Sequence, residues 1–391
     1  MTTIKRGESA VMNTYKRFPI VLESGKGLYV YDENGKCYLD FVAGIAVNTL
    51  GHGHPALADA VAKQAEKMMH VSNLYWTKPQ IELAEKLVNK SCFGKAFFCN
   101  SGAEAVESSL KLARKYAEKH HPEKYEIIAM ESSFHGRTFG AITATGQPKY
   151  QQGIQPLLPG IKHVPFNDFE ALKAAVTGKT AGIILEPIQA EGGIIPAQKE
   201  YLQKVRSLCD EKDILLIYDE VQCGMGRTGH LFAYEYYGIS PDMIALAKGI
   251  AGGVPMGALL ATDKAAAGFE PGDHASTFGG NSLAAAAACA VIDELFEKNI
   301  LDNVKKQGAY LTQKLHSLKE KCTAITDVRG VGLLQGIELN VEAGPVILTC
   351  MKKGLLLVNA GTNVIRFVPA LIVGKEEIDE CVSILEEVLL S

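Results

Sequence analysis

From about residue 95 to residue 246, short apolar runs alternate with longer stretches of helix formers, and this alternation constrains the fold more than any other feature. The runs 96–99, 126–130, 182–185, 214–218 and 243–246 read as strands, and 103–119 and 201–212 read as helices between them. Strands spaced by helices form a mostly parallel sheet with helices on both faces. The chain has 391 residues, more than one hydrophobic core usually sustains, so a second, smaller domain is expected.

The flanking sequence has a different character. Residues 27–31 and 36–40 read as a hairpin around Asn34-Gly35. Helices are expected over 55–69 and 79–89, an alanine-rich helix over 282–297 at a domain or subunit interface, and a long amphipathic helix over 302–321. The tail is strand-rich, with strands expected over 331–339, 355–358 and 364–369 before a terminal helix. The fold class is therefore α/β: a large domain with a mostly parallel sheet over 61–297, and a smaller α+β domain built from 298–391 with residues 1–60 joining it.

Composition excludes several functions. Hydrophobic residues are 47% and charged residues 21%, a globular balance. The net charge is −4 without a basic stripe, which argues against nucleic acid. The nine cysteines form no CxxC pair and read as buried free thiols in a reducing compartment. The first residues lack the apolar stretch of a secretory signal, and no apolar run spans a bilayer, so a cytoplasmic location without membrane contact is expected.

Parallel sheets bind ligands beyond the carboxyl ends of their strands, and polar residues follow three of the expected strands. Asn100-Ser101-Gly102-Ala103-Glu104 opens a helix, where free N–H groups and the helix dipole attract phosphate. A plain N-cap also accounts for Ser101 and Glu104. Asp219-Glu220-Val221-Gln222 carries an acid out of an apolar strand, which is costly unless a cation pairs with it; a metal or a protonated ring nitrogen suits, and so does a structural cap. Lys248 lies between apolar residues and Gly249, Gly252 and Gly253. Desolvation makes such a lysine a nucleophile toward carbonyls; a snorkelling surface lysine is the bland alternative. Together, a phosphate cradle, a ring-nitrogen acid and a nucleophilic lysine are what pyridoxal 5'-phosphate requires.

Over nearly its whole length the chain resembles the class III (subgroup II) aminotransferases of PLP fold-type I. The residues that carry the resemblance are the run Phe41–Pro55, Asn100–Ala105, Phe134-His-Gly-Arg-Thr138, Glu186-Pro-Ile-Gln189, Ile217–Gln222, Ala247-Lys248-Gly249 and Thr277-Phe-Gly-Gly280. The resemblance implies that Ser101, Gly102 and Ala103 hold the cofactor phosphate and that Phe134 stacks on its ring. Asp219 would bind the ring nitrogen, with Glu220, Val221 and Gln222 beside it, and Lys248 would be the Schiff-base lysine and proton shuttle. Thr277 would reach the phosphate of a neighbouring subunit, with Ser276 near substrate, which implies a homodimer with shared active sites. Arg137 and Arg366 resemble carboxylate-binding arginines, and Glu186 resembles a gate that pairs with Arg366.

Residues 44–55 and 134–138 favour the branch of the class that moves the δ-amino group of N2-acetyl-L-ornithine to 2-oxoglutarate. Donors such as ornithine, 4-aminobutyrate or succinyl-diaminopimelate stay open, although Ala46-Val47-Asn48 lacks the tyrosine that ornithine-specific relatives share there. A non-catalytic scaffold should have lost Lys248 or Asp219, and a mutase would not need 2-oxoglutarate. Other residues read more plainly. His52 and His54 flank Gly53 in a turn without the helical spacing of metal ligands, so they read as structural or subunit-contact residues, and no metal is expected. His135 is as suited to packing as to catalysis. Tyr75 and Trp76 suit either the entrance or the core.

Overall fold

The computed structural model describes residues 2–390. Its centre is a seven-stranded sheet in the spatial order Lys95–Cys99, Gly257–Ala261, Met243–Leu246, Leu215–Asp219, Thr180–Leu185, Glu126–Met130, Ile161–Val164. Gly257–Ala261 runs antiparallel to both its neighbours, and the other pairings are parallel. The central strands are buried along their whole length, as strands covered on both faces must be, and this is why they read as unbroken apolar runs.

Two of the seven strands were not expected from sequence. Gly257–Ala261 (Gly-Ala-Leu-Leu-Ala) has no β-branched residue and is held by pairing on both sides. Ile161–Val164 is a short edge strand with Lys162 and His163 in its middle. Elsewhere the boundaries lie within one to three residues of expectation.

Two further four-stranded sheets bring the chain ends together. Leu22–Lys26, Tyr29–Asp32 and Cys37–Asp40 form a meander, and Leu355–Leu356 pairs in parallel with Cys37–Asp40. Ile325–Val331, Leu334–Leu339, Val364–Phe367 and Val358–Ala360 form the other sheet. The single strand expected over 331–339 is instead the second arm of a hairpin that turns at Gly332 (φ +57), a left-handed conformation glycine adopts without strain. The alanine-rich helix Ser282–Glu297 packs against the helices Pro55–Lys67 and Lys78–Asn89, where its small side chains allow close approach.

Candidate active site

Polar side chains gather at the carboxyl edge of the seven-stranded sheet. Asp219 is the last residue of Leu215–Asp219, Glu186 follows Thr180–Leu185 by one residue, Asn100 follows Lys95–Cys99 by one, and Lys248 follows Met243–Leu246 by two. These residues line one cavity of about 370 Å³, together with Ser101, Gly102, Ala103, Phe134, His135, Glu191, Val221 and Gln222. Lys248 and Asp219, 29 positions apart in sequence, therefore share a single space.

One end of the cavity is the start of the helix Gly102–His120. Ser101 caps it, its Oγ accepting from Glu104 N at 3.3 Å, and the Glu104 carboxylate accepts from Asn100 N at 2.6 Å. The N–H groups of Gly102 and Ala103 have no intrahelical carbonyl to bond, because the first turn of any helix leaves them free. A Cβ on Gly102 would come 2.8 Å from Val221, and one on Gly136 would come 2.7 Å from Ala103 Cβ. The helix start is thus open because two glycines stand where side chains would fill it.

The other end is acidic and tightly bonded. Asp219 is buried; its Oδ2 bonds His135 Nδ1 at 2.7 Å and its Oδ1 accepts from Val221 N at 3.0 Å. Burial alone would lower the His135 pKa, but the Asp219 partner more than offsets this and holds it above the usual histidine value. Lys248 lacks a carboxylate within salt-bridge distance among the described residues, and burial lowers its pKa. Its backbone is left-handed (φ +47) at the start of the short turn Lys248–Ala251.

Glu186 does not pair with Arg366, contrary to expectation. Its carboxyl accepts from Phe134 N at 3.0 Å and Ala190 N at 3.3 Å, and burial pushes its pKa up to about 8. The guanidinium of Arg366 instead bonds Glu191 Oε1 directly, Gln222 Oε1 at 2.7 Å and Asn359 O at 3.2 Å. Burial would raise the Glu191 pKa, but Arg366 beside it brings the pKa below the usual carboxylate value. The physical reason is position. Glu186 sits at the strand end, against backbone donors, while the short pairing of Ile188–Gln189 with Ile195–Pro196 turns the chain so that Glu191 reaches the arginine. The signal for Glu191 was a second acid five residues after the first.

Glu220 faces away from the cavity. Its carboxyl accepts from Ala233 N at 2.6 Å and Tyr234 N at 2.8 Å, capping the helix Ala233–Tyr237. Burial pushes its pKa from 4.5 to about 8. Between those values the folded chain holds a proton that the unfolded chain has released, so this group makes stability fall as pH rises from about 4.5 to about 8. Glu220→Gln should be less stable overall, because an amide N–H₂ faces a backbone donor. Its unfolding free energy should also lose one proton's slope, about 1.4 kcal/mol per pH unit, across that window. Denaturant unfolding from pH 5 to pH 8 checks this; an unchanged slope contradicts it.

Besides Glu220, four expected residues lie outside the cavity lining: Arg366, which reaches it through Glu191 and Gln222, and Ser276, Thr277 and Arg137. Ser276 Oγ accepts from Asn100 Nδ2 at 3.2 Å and Gly279 N at 3.1 Å, one step from the cavity. Thr277 is exposed and its carbonyl accepts from Ser72 Oγ at 3.0 Å. Arg137 is exposed, its guanidinium 4.0 Å from the Tyr150 ring centroid and 5.6 Å from that of Phe134.

Among the described residues no group of three His, Cys, Asp or Glu side chains could hold a metal ion, and no helix is long and apolar enough to cross a membrane. His52 bonds Asp40, and His54 lies 3.8 Å from Glu294. Trp76 and Tyr75 are exposed rather than in the core.

Comparison with known proteins gives a consistent picture. The family described as aminotransferase class-III matches residues 10–389. The acetylornithine aminotransferase of Clostridium acetobutylicum is 52% identical over 382 residues, covering 97% of this chain and 99% of its own. Among solved structures, the N-acetylornithine aminotransferase of Stenotrophomonas maltophilia K279a superposes with a TM-score of 0.86 at 37% identity, covering 99% of this chain and 98% of its own. The ornithine aminotransferase of Toxoplasma gondii ME49 superposes with a TM-score of 0.95 at 30% identity, covering 99% and 94%.

Proposed function

This chain belongs to the class-III aminotransferases, and on that premise we propose that it transfers the δ-amino group of N2-acetyl-L-ornithine to 2-oxoglutarate. The products are N-acetyl-L-glutamate 5-semialdehyde and L-glutamate, and the cofactor is pyridoxal 5'-phosphate. The observation that carries the reading is the placing of Lys248 and Asp219 on one cavity with the open helix start at Gly102. The 52% identity to an acetylornithine enzyme over nearly the whole chain supports the choice of donor.

The residues fit the cofactor. The N–H groups of Gly102 and Ala103, at the positive end of a helix dipole and cleared of side chains, suit a phosphate. Phe134 borders the space where a flat ring would lie. Asp219, fixed by His135 and Val221 N, suits a protonated ring nitrogen. When bound, the cofactor holds the substrate nitrogen through its aldehyde and accepts the electrons released when the adjacent C–H bond breaks.

The chain supplies the rest. Burial disfavours the charged form of Lys248, which suits its amine to take the proton from the carbon bearing the donor nitrogen. Asp219 presents its carboxyl group at the far end of the cavity, held in place by His135 Nδ1 at 2.7 Å. Arg366 is the carboxylate site. Paired with Glu191 it is electrically quiet toward the donor; released, its planar fork receives the α-carboxylate of 2-oxoglutarate or glutamate. Glu191 takes the gating role expected of Glu186.

We infer a homodimer in the cytoplasm. Leu74, Tyr75 and Trp76 are 81%, 69% and 87% exposed. Their segment is tied to 276–279 by bonds from Ser72 and Asn73. Exposed aromatics in one place mark an interaction surface, and Thr277 on it would then serve the neighbouring subunit's site.

Free ornithine carries an α-ammonium that needs a polar partner, which Val47 does not offer. The purified holoenzyme should therefore turn over acetylornithine with a kcat/KM at least about 10-fold above ornithine, the discrimination expected when a charged group is left unpaired. Equal rates, or no requirement for 2-oxoglutarate, contradict the reading.

A further inference from the structure

The segment from Asp40 to His52 is fastened at its ends. Phe41 N donates to Leu356 O at 3.1 Å and Val368 N donates to Phe41 O at 3.0 Å. Thr49 Oγ1 donates to Gly249 O at 2.8 Å, next to Lys248, and Leu371 N donates to Thr49 O at 2.9 Å. His52 exchanges both backbone bonds with Gly27, at 2.8 and 2.9 Å.

Between these anchors the backbone is left-handed at four successive residues: Ala43 (φ +48), Gly44 (φ +65), Ile45 (φ +66) and Ala46 (φ +61). Only Gly44 adopts this conformation freely. Each L-residue there costs roughly 1–2 kcal/mol, and a β-branched one such as Ile45 is an outlier. A strained turn persists only where its surroundings over-determine it. On one side of this turn, Val47 lines the cavity that holds Lys248, Glu191 and Gln222. On the other, Gly44, Ile45 and Asn48 face a second cavity of about 550 Å³. The turn is a thin wall between two spaces.

One side chain starts it. The buried Asp40 carboxylate accepts from Val42 N at 2.8 Å and Ala43 N at 2.9 Å through Oδ1, and its Oδ2 bonds His52 Nε2 at 2.8 Å. We propose that Asp40, oriented by His52, is a positioning residue for substrate binding: it holds the left-handed turn so that Val47 stands as the donor-side wall of the active-site cavity. The inference rests on the function proposed above. It accounts for features that the cofactor residues do not explain: the strained run, the buried acid at its start, and a histidine fastened by two backbone bonds.

Without Asp40 the turn relaxes, because two N–H donors lose their acceptor and the strain then rests on the flanking anchors and on backbone bonds within the turn, such as Ala46 N to Val42 O at 3.0 Å. The wall moves, and interactions made equally with bound substrate and transition state are lost, which raises KM and leaves kcat in place. Asp40→Ala in the PLP-loaded enzyme should raise the donor KM about 10-fold or more, the loss of one to two hydrogen bonds, with kcat changed less than about 2-fold and cofactor content unchanged. Asp40→Asn keeps an oxygen toward Val42 and Ala43 and should return KM to within about 3-fold of wild type. Amide hydrogen exchange over residues 41–50 should accelerate in Asp40→Ala and revert in Asp40→Asn, whatever the substrate.

An unchanged donor KM in Asp40→Ala overturns the proposal, as does a fall in kcat and cofactor content that Asp40→Asn does not repair. If wild type prefers ornithine or 4-aminobutyrate, the choice of donor fails by itself. The same KM-against-kcat comparison with the accepted amine, read with the exchange data, then still decides the role of Asp40.

Discussion

Lys248→Ala should lower kcat for transamination by at least about 10⁴-fold, the upper end of what a positioned general acid or base contributes. No other amine lines the cavity among the described residues, so nothing replaces its proton transfer. The fold should survive. Lys248 already sits at φ +47, and alanine meets the same backbone cost there. The substitution also relieves the chain of burying an ammonium, whose desolvation is the main influence on its pKa. A melting temperature within a few degrees of wild type, with turnover lost, is the expected pair of results. Normal turnover contradicts the scheme.

Asp219→Asn comes next in size. The exchange keeps the shape and retains an oxygen for Val221 N, but it removes the charge that faces His135 and the cavity. Breaking a buried charge pair from one side costs about 3–5 kcal/mol, which corresponds to a loss of about 10²–10⁴ in kcat/KM if it falls on the catalytic state. The His135 pKa should drop, because burial is then opposed only by the charge of Glu186. Steady-state kinetics and NMR titration of His135 check the two parts. A kcat/KM within about 3-fold of wild type removes Asp219 from the mechanism, since that is less than one hydrogen bond to a charged group contributes.

Much of this site is visible in the sequence because the parallel sheet does two things at once. It buries its strands as unbroken apolar runs, and it delivers whatever follows them to one edge. Lys248, Asp219 and the turn at Ser101-Gly102 were therefore readable as polar breaks after apolar runs. Gly257–Ala261 was not readable, because small residues serve a strand paired on both sides and leave no β-branched signature. Glu191 was missed for a different reason: two acids follow the same strand, and only the fold decides which one meets Arg366. Glu220 looked functional by adjacency to Asp219, yet successive strand residues point to opposite faces, and its own face carries a helix start. The left-handed run at 43–46 has Gly44 as its only local sign, since propensity argues against Ile45 there and tertiary bonds override it.

Lys248 Nζ should lie within covalent reach of the aldehyde of bound cofactor. Borohydride reduction of the PLP-loaded protein, followed by peptide mass mapping, tests it directly. A phosphopyridoxyl group should be fixed on the peptide containing Lys248 and be absent from the Lys248→Ala protein. A group fixed on another lysine, or none fixed at all in protein that retains the cofactor, contradicts it.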